Sequence, residues 1–197
     1  MVEVLDNILT VEEQDELENL VKSETFREGN NVYWLNDSND YNNKDGNYKP
    51  HNAIIYIPDE NIGQFTGNLK NKAIEKYIKL ISRRVEERLD KRIKQFLRVK
   101  INKLSPLPKD NIDEKNDVHL DRDDQHHAMI YYINDSDGDT IFFNDKLKEI
   151  KRVNPKKGRA VIFDSQILHC GSNPIKQQNR AVINFIYKEN ENSILYR

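Results

Sequence analysis

The sequence predicts an α+β fold that is mainly β: a jelly roll of short strands braced by N-terminal helices. Three observations lead there. The apolar residues recur three and four apart up to Leu89, then alternate from Leu97 onward, so the period changes from helix to strand. Turn signals then follow at Asp135-Ser136-Asp137-Gly138, Asn154-Pro155-Lys156-Lys157-Gly158 and Gly171-Ser172-Asn173-Pro174. Finally, 197 residues at 37% hydrophobic can fill one core and are too few to expect two, so a single domain 1–197 is expected, with helical support over 1–95 and a jelly-roll core over 96–190.

Charge and composition narrow the partners. Lys and Arg number 31 against 33 Asp and Glu, so no net field draws the chain to a phosphate backbone or an anionic membrane. Neither nucleic acid nor membrane is the expected partner. No apolar run approaches the roughly 18 residues that cross a bilayer. Cys170 is a single cysteine and the first twenty residues lack a signal-like apolar stretch, which points to a reducing cytoplasm.

Taken in order, Val2 to Leu9 reads as a short strand, and Thr10-Val11-Glu12-Glu13 as a capping box opening a helix over Val11 to Val21. Leu17, Leu20 and Val21 give that helix its apolar face. The stretch from Gly29 to His51 is rich in Asn, Asp and Gly with Tyr33, Trp34, Tyr41 and Tyr48 interleaved. It reads either as a lid over a binding site or as a surface excursion whose aromatics pack locally. Asn52 to Ile57 is a strand closed by Pro58. From Gln64 to Leu89 one stripe of Leu69, Ala73, Ile74, Tyr77, Ile78, Ile81, Val85 and Leu89 marks an amphipathic helix lying on a sheet, its charged face solvated. The strands expected after it are Phe96 to Lys103, Asp117 to Asp121, His127 to Asn134, Thr140 to Asn144, Leu147 to Val153, Arg159 to Asp164 and Arg180 to Lys188.

The chemistry gathers between His119 and Arg180. On a strand, residues two apart share a face, so His119 and Asp121 present an imidazole and a carboxylate side by side. If His169 joins them, the set becomes two histidines and one carboxylate with open positions, the facial set of non-haem Fe(II) oxygenases. Arg180 heads an otherwise apolar strand in which Arg180, Val182, Asn184 and Ile186 share a face. Its guanidinium needs a partner, either an internal acidic residue or a bound carboxylate. The same parity puts Tyr132 beside Ile130, where a phenol could reach that carboxylate. His126 and His127 could compete as ligands, but no carboxylate of the right parity joins them. Cys170 should point away from the metal, and His51 belongs to the preceding loop region.

These pieces in register resemble the Fe(II)- and 2-oxoglutarate-dependent dioxygenases, in particular the prolyl 4-hydroxylase-like branch. They are H-L-D at 119–121, M-I-Y-Y-I-N-D at 129–135, D-G-D-T at 137–140, P-K-K-G-R-A-V-I-F at 155–163, H-C-G-S-N-P-I at 169–175 and N-R-A-V-I-N-F at 179–185, with Val4 to Thr10 like the family's opening segment. The resemblance implies a double-stranded β-helix with His119, Asp121 and His169 on Fe(II). It implies Arg180 as salt-bridge partner of the distal carboxylate of 2-oxoglutarate, Tyr132 as a hydrogen-bond donor to it, and Asn184 as a further polar residue of the pocket. The implied reaction hydroxylates a C–H bond of a peptidyl residue such as proline, consuming 2-oxoglutarate and O2, releasing succinate and CO2, with ascorbate as reductant.

Departures are visible. Asp137-Gly138-Asp139-Thr140 replaces the usual pair of glycines before the threonine. Arg180 stands where collagen-type members have lysine, and Arg98, Lys100 and Asn102 occupy a strand where many of those members carry a tyrosine. Two other readings fit the same residues: hydroxylation of a free amino acid or small metabolite under a Tyr33 to Tyr48 lid, and a cupin-like module that holds metal without turnover.

Overall fold

The computed structural model describes residues 1–22, 35–36, 51–56, 72–104, 117–175 and 179–190. The candidate lid over 29–51 lies outside them except for 35–36 and residue 51. Strand β1 covers Val2–Leu5 and helix α1 Val11–Lys22. The strand stops short of the expected Leu9 because Asn7 adopts a left-handed backbone (φ 56°), which an extended run cannot contain. Beyond that turn Ile8 and Leu9 drop into the core, each 2% exposed.

The capping box forms as the sequence suggests. The Glu13 amide donates to Thr10 Oγ1 at 3.3 Å, and the Thr10 amide donates to Glu13 Oε2 at 2.8 Å. Thr10→Ala should therefore cost about 1 kcal/mol and lower the melting temperature by roughly 2–4 °C in a thermal unfolding scan.

Helix α2, Lys72–Leu89, buries the predicted stripe: Ile74, Tyr77, Ile78, Ile81 and Val85 are buried. Its charged face is partly solvated, with Arg83 and Glu87 paired four residues apart at 2.9 Å. Two arginines of this helix depart from that expectation. Arg84 forks onto Glu13 at 2.5 and 3.0 Å, and Arg88 donates to the Asp6 and Asn7 carbonyls at 2.6 and 2.8 Å. They tie α2 to the turn and cap ahead of α1.

The remaining strands are β2 (Leu35–Asn36), β3 (His51–Tyr56), β4 (Ile93–Leu104), β5 (His127–Tyr132), β6 (Thr140–Phe143), β7 (Glu149–Val153), β8 (Ala160–Asp164), β9 (Leu168–Gly171) and β10 (Arg180–Glu189). They form a seven-stranded sheet in the order β1-β8-β5-β10-β4-β3-β2 and a three-stranded sheet in the order β7-β6-β9. All strand pairings among the described residues are antiparallel, as in a jelly roll. Among the described residues no helix is long and apolar enough to cross a membrane.

Alternation along the central strands sorts the large sheet into two faces. Met129, Tyr131, Ile162, Ile183 and Phe185 face the helices, while Ala128, Ile130, Tyr132, Val161, Phe163 and Val182 face the small sheet with Phe142. The second face is the inside of the jelly roll. It is where Arg180, Val182 and Asn184 fall by parity.

One irregularity bears on the site. The β10–β4 register runs Ile186 to Arg98 and then Tyr187 to Phe96, so Leu97 is an extra residue and β4 is bulged there. The simple alternation expected from Leu97 is broken. Phe96 packs on the helix-side core, its ring 6.1 Å from that of Phe185, while Arg98 is directed toward the other sheet.

Candidate active site

Residues 117–121 do not form the expected strand; they make one isolated antiparallel bridge between His119 and His169. That bridge suffices. The two histidines exchange both backbone hydrogen bonds, each 3.0 Å, and directly opposed residues put their side chains on one face. The rings lie 4.8 Å apart between centroids. His169 sits on β9, a four-residue strand that the sequence reading did not separate from its turn.

Each imidazole is held by its own backbone. His119 Nδ1 lies 2.8 Å from the Asp117 carbonyl and His169 Nδ1 lies 3.1 Å from the Ile167 carbonyl. A carbonyl only accepts, so Nδ1 carries the proton in both rings and the Nε2 lone pairs are left to point outward. The Phe163 ring stands edge-on to His169 at 4.7 Å and fixes its plane.

Asp121 completes the cluster: one ligand atom from each of His119, Asp121 and His169 lies within 4.8 Å of the others. Asp121 Oδ2 is buried without a hydrogen-bond partner, 3.5 Å from His169 Nε2. Burial works against its charge, yet the His169 imidazole, Arg98 and His119 outweigh it and hold the carboxyl far below its usual range. His119 moves down as well, first through burial and then through His169, toward the neutral form that a ligand needs. Two imidazole nitrogens and a buried carboxylate oxygen, converging on one point with the oxygen unpartnered, are a donor set that fits a divalent first-row metal such as Fe(II).

Arg180 lies deeper. It is only 4% exposed, and burial pushes its guanidinium below the ordinary value. Its Nη2 donates to Thr140 Oγ1 at 2.7 Å, and Tyr132 donates its hydroxyl to the same oxygen at 2.6 Å. The guanidinium carbon stands 5.6 Å from the centre of the Tyr132 ring. Among the described residues no carboxylate comes within ion-pair distance of Arg180, and its Nε has no partner. The internal salt bridge that would have explained this arginine away is thus not found among them.

Two residues that sequence reasoning did not single out support this corner. Thr140 was read only as part of D-G-D-T; its hydroxyl is the junction between Tyr132 and Arg180. Asn134 grips the peptide on both sides of Arg180, accepting from the Ala181 amide at 2.8 Å and donating to the Asn179 carbonyl at 2.7 Å. Glycines leave the arginine its room. A Cβ on Gly138 would lie 2.5 Å from the Ser172 carbonyl oxygen and 3.1 Å from Arg180 Cδ, whereas one on Gly171 would meet only the Arg180 fork, from 3.3 Å outward. Gly138→Ala should therefore weaken 2-oxoglutarate binding about tenfold in a titration, as overpacking costs roughly 1–3 kcal/mol, and Gly171→Ala should do less.

One open pocket joins the two groups, lined by His119, His169, Thr140, Gly171, Arg180 and Asn184 among others. Asn184 is 8% exposed and its Oδ1 has no partner. It sits four residues along β10 from Arg180, toward the other end of the pocket. His126 and His127 stand outside this cluster. His126 Nδ1 is 2.6 Å from the Asp124 carbonyl, and His127 lies 3.6 Å from Asp164 and 3.7 Å from Glu189. Cys170 is buried beside Ile141 and Phe143, away from the metal cluster. The side chain of His51 lies outside what is described.

Comparison with known proteins gives a consistent answer. Residues 109–188 match the 2OG-Fe(II) oxygenase superfamily. No curated protein sequence matches the chain. Among solved structures, a prolyl-4-hydroxylase from Pseudomonas putida shares the fold with a TM-score of 0.58 at 16% identity, over 95% of this chain and 91% of that one. A prolyl hydroxylase from Trichoplax adhaerens, solved with a hypoxia inducible factor oxygen degradation domain peptide fragment, gives a TM-score of 0.58 at 16% identity over 95% and 83%. The non-heme alpha ketoglutarate dependent epimerase SnoN, from nogalamycin biosynthesis, gives 0.65 at 9% identity over 94% and 76%. Residues 109–188 are thus similar to the 2OG-Fe(II) oxygenase superfamily, and the chain shares the jelly-roll fold of the prolyl hydroxylases, with a His-Asp-His cluster on its inner face.

Proposed function

We propose that the protein hydroxylates a C–H bond of a peptidyl residue such as proline, with His119, Asp121 and His169 as the iron ligands. The observation that carries the cosubstrate half is Arg180, a buried cation with no carboxylate partner among the described residues, in a pocket that His119 and His169 also line. A dicarboxylate that reaches from those ligands to Arg180 supplies the missing counter-charge. In this reading the fork of Arg180 and the hydroxyls of Thr140 and Tyr132 bind the distal carboxylate, and Asn184 offers an amide nearer the metal. When bound, Fe(II) with 2-oxoglutarate and O2 supplies the oxidising power that hydroxylates the substrate and releases succinate and CO2.

The protein's own work is positional. The Asp117 and Ile167 carbonyls fix both imidazoles, Phe163 and Phe142 keep one side of the site apolar, and Asn134 holds Arg180 in place.

Peptide as the substrate class follows the prolyl hydroxylases whose fold this chain shares, one of them solved with a bound peptide fragment. A second reading, turnover of a free amino acid or small metabolite, is favoured by the likeness to the epimerase SnoN. The experiment is succinate release by the Fe(II)-loaded protein with proline-containing peptides against free amino acids, with and without ascorbate. Peptide-dependent succinate together with hydroxylated peptide supports the first reading. Succinate with free amino acids alone transfers support to the second, and neither binding nor turnover of 2-oxoglutarate would leave a metal-holding module without turnover. Ascorbate as reductant belongs to the same proposal and is dropped if turnover persists undiminished without it.

A further inference from the structure

Asp121 has two oxygens, and they face different things. Oδ2 faces His169 and has no hydrogen-bond partner; Oδ1 accepts a 2.6 Å bond from Arg98 Nη2. Arg98 comes from β4, in the large sheet, so this ion pair spans the gap between that sheet and the 119–121 segment beside β9. The Asp121 side chain is 4% exposed and that of Arg98 31%, which leaves the carboxylate dry while the arginine stem reaches the rim. The β4 bulge sits immediately before Arg98, and bulges beside active sites commonly re-aim one side chain. Arg98 lies ahead of the segment that matches the superfamily, 109–188, and Asp121 lies within it.

A carboxylate can offer a metal one oxygen or two. Two would use up a coordination position that the cosubstrate needs, and a free carboxylate can swing between the modes. Here a charge-assisted bond on Oδ1 removes the choice, and the same bond draws negative charge away from Oδ2.

We propose that Arg98 is a positioning residue that restricts Asp121 to a single oxygen toward the metal and so keeps the position for 2-oxoglutarate open. The inference rests on the ligand assignment proposed above. A residue that merely fastened two sheets together would change stability and leave the metal's surroundings as they were.

The test uses the full chain loaded with Co(II), whose visible absorption intensity reports coordination number. Wild type, Arg98→Gln, Arg98→Met and Arg98→Lys are compared, with far-ultraviolet circular dichroism and thermal unfolding of the metal-free proteins as the check on folding. Arg98→Met keeps the apolar stem, so it guards against a loss of fold in the glutamine variant. Arg98→Gln and Arg98→Met are expected to show an altered Co(II) spectrum, and 2-oxoglutarate is expected to bind the loaded protein at least about tenfold more weakly, in the range that loss of such outer partners produces. Arg98→Lys, which keeps one charged donor, should fall between them and wild type. Co(II) spectra and 2-oxoglutarate affinities indistinguishable from wild type would overturn the proposal, as would variants whose only change is unfolding. Wild type that binds no Co(II) at all would instead overturn the ligand assignment, and Arg98's role with it.

Discussion

His169→Ala is expected to abolish 2-oxoglutarate turnover, by at least about a thousandfold, which corresponds to about 4 kcal/mol of barrier. The geometry gives the reason. His169 is one of the three proposed donors and also the cross-strand partner that positions His119, through two backbone bonds of 3.0 Å. Alanine keeps those backbone bonds, so the loss should come from the missing imidazole and not from a collapsed bridge. His119→Ala should behave alike, because the remaining histidine and carboxylate cannot hold three faces of a metal. Iron content after equilibrium dialysis, read beside succinate formation, checks the prediction. A variant that retains stoichiometric iron and wild-type turnover would remove the residue from the ligand set.

The second large effect is expected at Arg180, and it has two signs. Arg180→Met should raise KM for 2-oxoglutarate by at least about a hundredfold, since two hydrogen bonds to a charged group at roughly 1.5–3 kcal/mol each are lost. The metal-free protein should meanwhile be as stable as wild type or more so. Its guanidinium is fully buried, pushed toward neutrality by desolvation, and lacks a carboxylate partner among the described residues; replacing a buried charge with an apolar side chain of similar length is often neutral or stabilising. Conversely, saturating 2-oxoglutarate should stabilise metal-loaded wild type, by about 2.7 kcal/mol at a hundredfold excess over Kd, and should do little for the variant at the same concentration. Isothermal titration and thermal unfolding with and without the cosubstrate measure both signs. A destabilised metal-free variant with unchanged KM would show that Arg180 serves the fold alone.

Much of this site could be read from residue order because its logic is periodic. Spacing by two predicted that His119 and Asp121 share a face, and that Arg180, Val182 and Asn184 do; the structure sorts Val182 and Ile183 into different cores, as that parity demands. The helix stripe from Ile74 to Val85 was equally plain. What escaped notice lacked a period. Strand β9 spans four residues and leaves little pattern, and the 117–121 segment pairs through a single bridge where a strand was expected. Thr140 meets partners eight and forty residues away, through a hydroxyl that looks like any other in a turn. Arg98 lies 23 residues from Asp121, on a strand of the other sheet, and no period along the chain links the two.

The grip of Asn134 on either side of Arg180 has a meaning for how the chain finds its structure. Strand β10 is central in the large sheet and paired on both sides, with β5 and β4. Sliding it by one residue would exchange its faces, sending the guanidinium into the apolar layer beneath the helices and turning Ala181 and Ile183 toward the pocket. Such a state takes the guanidinium away from the Thr140 hydroxyl and into an apolar layer, and it forfeits both bonds to Asn134. The residue proposed to anchor the cosubstrate thus doubles as a register mark, which penalises misaligned pairings before any ligand arrives.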